Sequence, residues 1–280
     1  MRLLCALLLL PTLACSDPEP APPLLWRIQA QGGVPPSYLL GTMHIGVSAQ
    51  DDLPRSVWDA FDGAARLVEE AEIRFIDQQE YLKLASLTGG QLDSLLPEDV
   101  WLDLVALLSD VSLTRLHALR PWAASNLVFN KLVPEVEGMD LTFLNATVPT
   151  GKTRAFLELW QDQVNALNQI PLEDDVDALV ELVREREAYT RRLEELIDLY
   201  LEGDGEGLYR AAPAAGAIPE PGTALFDTFI RKRTQRWLPT LETELQSGGV
   251  FVAVGFGHVL GPEGLVQLLG QRGFTVTRVE

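Results

Sequence analysis

Apolar positions run together or alternate near both ends of the chain, and they recur with helical spacing through its middle. Leu24 to Ala30 and Ser37 to Leu40 read as two short strands separated by the turn segment GGVPP. From Asp51 to Ala65, Leu53, Val57 and Phe61 repeat every four positions, which predicts a helix with Pro54 near its first turn. Arg66 to Ala71 predicts a strand whose end carries acids. Gln79 to Leu132 is mainly helical in pattern, strongest over Leu96 to Leu108 and Ser112 to Leu132, with a boundary or kink at Pro121. Glu137 to Ala146 predicts another helix, Thr153 to Leu157 a strand, and residues 173–203 the longest helix. After the small-residue loop 211–223, Ala224 to Gln246 returns to helix. Val250 to Val254 (VFVAV) is apolar throughout, as in a buried parallel strand. A helix over Gly264 to Arg272 and an alternating strand, Phe274 to Val279, close the chain. Strands at both ends with helices between predict an α/β fold: a core sheet with flanking helices built from the N- and C-terminal segments, plus a central helical insertion. The insertion covers approximately residues 79–247 and is interrupted by the strand near 153–157.

The first residues read differently. Arg2 precedes the eight apolar residues Leu3 to Leu10, and Pro11 follows. Eight residues are too few to span a bilayer, so residues 1–14 are expected to be an export signal peptide. Thr12-Leu13-Ala14-Cys15 resembles a lipoprotein box, which would lipidate Cys15 and tie the protein to a membrane in the bacterial cell envelope or periplasm. Ordinary cleavage nearby, leaving Cys15 as a free thiol, is the alternative. Cys5 leaves with the signal in either case, so no disulfide is expected. Residues 15–23 form a Pro-rich tether ahead of a domain over 24–280.

Composition narrows the partners. The 280 residues carry 22 basic and 40 acidic side chains, a formal charge of −18 without a basic stripe. Nucleic acid is therefore not an expected partner, because its affinity rests on Lys and Arg at phosphates. Anionic lipid headgroups are disfavoured on the same ground.

The chain has three histidines, and two share a context. His44 ends Gly41-Thr42-Met43-His44 after one strand, and His258 ends Gly255-Phe256-Gly257-His258 after another. In open α/β sheets, ligands bind outside the carboxyl ends of the strands, where glycines permit sharp turns and close approach. Imidazole is both a frequent metal ligand and a proton carrier near neutral pH. Glu69-Glu70, at the end of a third strand, supplies a carboxylate that would complete a metal site or act as a general base. His117 sits on a predicted helix and reads as a packing or surface residue. A nucleophile elbow, HExxH, a P-loop and a dinucleotide fingerprint are all missing from the sequence.

These segments together resemble the TraB/GumN family, which includes the animal Tiki proteases and is distantly related to erythromycin esterase and the haem-binding ChaN proteins. The resemblance covers nearly all of the mature chain. It rests on Tyr38-Leu39-Leu40-Gly41-Thr42-Met43-His44, Leu67-Val68-Glu69-Glu70, Arg120-Pro121-Trp122 and Glu137-Gly138-Met139-Asp140. Phe156-Leu157-Glu158 with Gln163, and above all the final segment AVGFGHVLGPEGLVQLLGQRGFTVTRV, complete it. The family's strand-end glutamate falls on Glu70. Arg233 aligns with the arginine of a usual Arg-Asn pair, and Thr234 replaces the asparagine.

The resemblance implies a metal-dependent hydrolase, most simply a peptidase acting on a peptide or protein substrate. His44 and His258 would bind a divalent ion (manganese, cobalt or zinc), with Glu70 as ligand or general base. Arg233 would stabilise an oxyanion or bind a substrate carboxylate. Two other readings stay open: a non-catalytic envelope protein binding peptide, haem or saccharide, and a metal-independent esterase with a histidine as general base. Asp140, Glu158 and Gln163 are expected to hold the insertion to the core. Trp122, Trp160 and Trp237 are expected to pack, and the acidic run Glu173-Asp174-Asp175 to complement a helix dipole.

Overall fold

The computed structural model describes residues 23–280, and the expected signal peptide, Cys15 and nearly all of the tether lie outside the described residues. Six strands form one sheet: β1 (Leu25–Gln29), β2 (Ser37–Thr42), β3 (Arg66–Glu69), β4 (Thr153–Phe156), β5 (Val250–Gly255) and β6 (Thr275–Arg278). Their order is β4-β3-β5-β2-β1-β6. The first four are mutually parallel, and β1 is antiparallel to both β2 and β6. The fold is the expected α/β sheet flanked by helices.

Strand β5 is buried at every position because it lies between β2 and β3 with helices on both faces, which is what its unbroken apolar run requires. Register fixes the site. Thr42 lies opposite Gly255, and Glu69 lies opposite Ala253, so the carboxyl ends of β2, β5 and β3 open at one edge. The predicted strand over 153–157 pairs with β3 and forms an edge of the main sheet.

On one face, Phe61, Phe143 and Phe251 meet with ring centroids 5.2–5.4 Å apart. Phe61 comes from helix Arg55–Gly63, whose Val57, Ala60 and Phe61 are the buried stripe. A second apolar cluster draws its buried residues from Ala85 to Val183, mostly from helices and the turns between them. Its helix Pro121–Leu132 starts with Pro at the first turn, where the missing N–H costs nothing.

Several helices differ from the expected spans. The helix expected over 173–203 is two, Leu172–Arg184 and Arg186–Leu201, broken at Glu185. The break lets the two pieces pack separately around helix Pro121–Leu132 without any Gly or Pro. The boundary expected at Pro121 is present: Leu113–Ala118 and Pro121–Leu132 are separate helices. Short helices at Trp160–Leu167 and Gly205–Ala211 carry too few turns to show a period. The helix expected over 224–246 contains a π-helical turn, Asp227–Arg231, before Lys232–Ser247. Such turns shift the helical register and are frequent at functional sites.

Candidate active site

The edge of the sheet gathers His44, Glu70, Arg233 and His258, as expected, and adds Asp140, Glu158, Gln163 and Thr234.

His44 follows β2. Its Nδ1 lies 2.6 Å from Asp140 Oδ2, and Thr42 Oγ1 donates to the other Asp140 oxygen at 3.0 Å. Asp140 is in the first turn of helix Met139–Thr150, reached through Gly138, where a Cβ would meet His44 O at 2.9 Å. Asp140 holds His44 above the ordinary imidazole range, at about 9, against the opposing effect of desolvation. The His44 side chain is nonetheless 58 % exposed, so solvent screens part of this pull.

Glu70 sits just past β3. Its Oε1 accepts the Gly255 N–H at 2.8 Å, and its Oε2 accepts from Arg233 Nη2 at 2.7 Å and Gln163 Nε2 at 3.1 Å. Burial favours the protonated acid. The pull of His258, Arg233 and His44, with the Gly255 N–H, outweighs it and holds the carboxyl down at about 2. At Gly255 a Cβ would lie 2.8 Å from His44 Nε2 and 3.2 Å from Glu70 Oε1. Both atoms therefore look onto the same point above that glycine.

Arg233 leaves the turn after the π-helical segment with its side chain 9 % exposed. Nε and Nη2 donate to Glu158 Oε1, Nη2 also to Glu70, and Nη1 to Phe229 O and toward His258 Nε2. All five guanidinium protons have partners, leaving none for an oxyanion or a substrate carboxylate. Arg233 thus ties Glu70, Glu158 and His258 together. Glu158 is itself held by Trp237 Nε1 at 3.2 Å.

His258 lies on the short helix Phe256–Val259, 3 % exposed, with its ring centroid 4.3 Å from that of Trp237. Thr234 Oγ1 donates to Ile230 O at 2.7 Å and lies 2.8 Å from His258 Nδ1, so it accepts the Nδ1 proton. That network assigns the lone pair to Nε2, facing Arg233 Nη1 at 3.2 Å. Burial, with Arg233 and His44, pushes His258 down to about 3 despite Glu70, so the ring is neutral at physiological pH. Thr234 thus supplies an oxygen where the family resemblance leads one to expect an asparagine.

A catalytic divalent ion takes three protein ligands and keeps one open position. Here His258 offers neither nitrogen, because Thr234 and Arg233 hold both, and Glu70 Oε2 is engaged by two donors. His44 Nε2 and Glu70 Oε1 remain. Two donors beside a buried guanidinium do not fit such an ion, and no group of three or more metal-binding side chains is arranged for one among the described residues.

A cleft of about 640 Å³ opens over these residues, walled on its helical side by Trp122, Ile170, Asp175 and Leu182. A cavity of about 520 Å³ adjoins it, with His44, Asn126, Phe129 and Phe256 common to both. His117 lies elsewhere, against Asp93 and Trp101. Trp237 is core, Trp160 packs on the helical cluster, and Trp122 is buried yet lines the cleft. Asp140, Glu158 and Gln163 do more than join insertion to core: each hydrogen-bonds a residue of the site.

Sheet, strand-end crevice and paired histidines define an α/β protein with a carboxylate-oriented imidazole at its switch point. The chain belongs to the TraB/PrgY/gumN family, which it matches over residues 24–278. It is similar to an uncharacterized protein of Treponema pallidum (strain Nichols), 26 % identical over 309 aligned residues that cover 96 % of this chain and 90 % of the other. No solved structure matches the chain.

Proposed function

We propose that the protein is a hydrolase of acyl bonds, ester or peptide, that works without a bound metal and uses His44 as its proton carrier. The observation that carries this reading is the His44–Asp140 pair at 2.6 Å, which leaves Nε2 open to the cleft above Gly255, beside Glu70 Oε1. A water at that point donates one proton toward Glu70 Oε1 and gives the other to His44 Nε2 as its oxygen attacks the acyl carbon. The carbon–leaving-group bond then breaks, and the imidazolium returns the proton to the leaving group. Asp140 fixes the tautomer and stabilises the imidazolium. Arg233 holds Glu70 and His258 in place and touches no substrate.

The second reading is the metal-dependent peptidase that the family resemblance implies. The convergence of His44 Nε2 and Glu70 Oε1 favours it, but it requires Arg233 to leave His258. Export, cleavage before Cys15 and lipid anchorage belong to the proposal as well and rest on residues 1–15 alone.

The deciding experiment measures kcat/KM on a small activated ester and a short peptide, with and without a strong chelator. Retention of activity within twofold in chelator, with loss of at least a hundredfold in His44→Ala, is the expected result. Loss in chelator restored by manganese, cobalt or zinc would overturn the metal-free mechanism.

A further inference from the structure

Resting on the hydrolase reading, we infer that the substrate of the cleft carries an ammonium group on an apolar stem, and that Asp175 receives it. Asp175 lies in the first turn of helix Leu172–Arg184 and lines the cleft from its helical side. It is 3 % exposed, unlike the exposed Glu173 and Asp174 beside it, so helix-dipole charge does not account for it. It accepts the backbone N–H of Trp122, and its Oδ2 has no hydrogen-bond partner. Arg120 exerts a Coulombic pull without forming an ion pair with Asp175 among the described residues, and Arg120 Nε is itself without a partner. Burial raises the Asp175 carboxyl to about 6, which leaves it mainly ionised at neutral pH.

The cleft therefore holds a buried anion whose second oxygen lacks a donor. The cations that line it are paired with acids, Arg233 with Glu70 and Glu158 and His44 with Asp140, while Glu220 adds a further carboxylate. The same cleft is lined by the apolar Trp122, Leu167 and Ile170, which suit a hydrocarbon stem. The formal charge of −18 raises the concentration of cations near the whole surface. A site built with a charged acceptor discriminates strongly against a ligand that leaves the acceptor unpaired.

The test uses three chromogenic esters that share one apolar acyl stem and end in ammonium, hydroxyl or methyl. The enzymes are the parent, Asp175→Asn and His44→Ala. Asn retains an oxygen for the Trp122 N–H, so the helix contact survives while the charge goes. The parent is expected to prefer the ammonium ester by about tenfold or more in kcat/KM. Asp175→Asn should lose that preference while hydrolysing the methyl ester within twofold of the parent. Equal rates for the three esters, or an equal loss on all three in Asp175→Asn, would overturn the inference and leave the hydrolase reading intact. Failure of His44→Ala to abolish methyl-ester hydrolysis would overturn the proton-carrier role of His44 instead. If no ester is turned over, the matching amides are titrated against tryptophan fluorescence. Binding of the ammonium amide about tenfold tighter than the methyl one, lost in Asp175→Asn, supports the inference, and equal binding refutes it.

Discussion

Arg233 Nη2 stands 2.7 Å from Glu70 Oε2 while Nη1 of the same guanidinium stands 3.2 Å from His258 Nε2. One buried cation thus ties the carboxylate of β3 to the imidazole that follows β5. Removing one partner of a buried ion pair leaves the other charged and unpaired, at a cost of roughly 3–5 kcal/mol. Arg233→Met should therefore destabilise by about that amount, read from urea unfolding, and abolish activity. Arg233→Met/Glu70→Gln should be less destabilised than the sum of the two single variants.

In the proposed hydrolysis, His44 sets the pH dependence. The base form is the minor one below about pH 9, so log kcat/KM should rise by about one per pH unit through neutrality and level off near pH 9. Asp140→Asn should move the midpoint down toward the ordinary imidazole value and lower the plateau by roughly 10²- to 10⁴-fold. A His44 midpoint unmoved in the NMR titration of Asp140→Asn would contradict the assignment. The stability sign follows from the raised value. The His44–Asp140 contribution is full below about pH 6.5 and is lost as pH rises through about 9.

Glu69, next to Glu70, is 2 % exposed, and neither of its oxygens has a hydrogen-bond partner. Burial, with Asp140, Glu72 and Glu70 nearby, pushes its carboxyl up to about 10. The folded state therefore keeps a proton that the unfolded chain loses above pH 4.5, and stability falls as pH rises between 4.5 and about 10. Glu69→Gln should be more stable than the parent by a few kcal/mol at pH 8 and match it near pH 4. A constant difference at both pH values would show that folding leaves the Glu69 pKa unchanged and would overturn this assignment.

Gly255 is a steric requirement. A methyl group there would stand 2.8 Å from His44 Nε2 and occupy the point onto which Glu70 Oε1 also looks. Gly255→Ala should fold with a near-parental circular dichroism spectrum and lose activity by at least a hundredfold. Recovery of activity at high substrate concentration would show that the attacking atom sits elsewhere.

Much of this site was legible in the sequence because strands announce their ends. An apolar run followed by G-x-x-H places His258, a strand followed by the same pattern places His44, and an acid-tipped strand places Glu70. The partners were less legible for physical reasons. Asp140, Glu158 and Gln163 were visible as residues, yet an acid among 40 carries no local mark of what it will touch. Asp175 was read as the end of an acidic helix start, since burial of one side of that turn depends on helix Pro121–Leu132 packing against it. The hydrogen-bond partners of Arg233 were not legible either, since Glu70, Glu158, Phe229 and His258 are brought together from four segments of the chain. The break at Glu185 has no sequence punctuation at all and follows from tertiary packing alone.

The pairing of β2 with β5 has a consequence for synthesis. His44 is made early and His258 among the last residues, 214 positions later, while the sheet makes their strands neighbours. A chain growing from its amino end can bury its helical cluster well before the centre of the sheet exists, because β5 has not yet been made. Closing a long loop costs only about 0.6 kcal/mol more for each doubling of its length. The helical span can therefore grow or shrink between relatives with little penalty to strand pairing. A chain truncated before Val250 retains His44, Glu70 and Arg233 but lacks the β5 strand that joins β2 to β3, so the site should assemble in one step with the final segment.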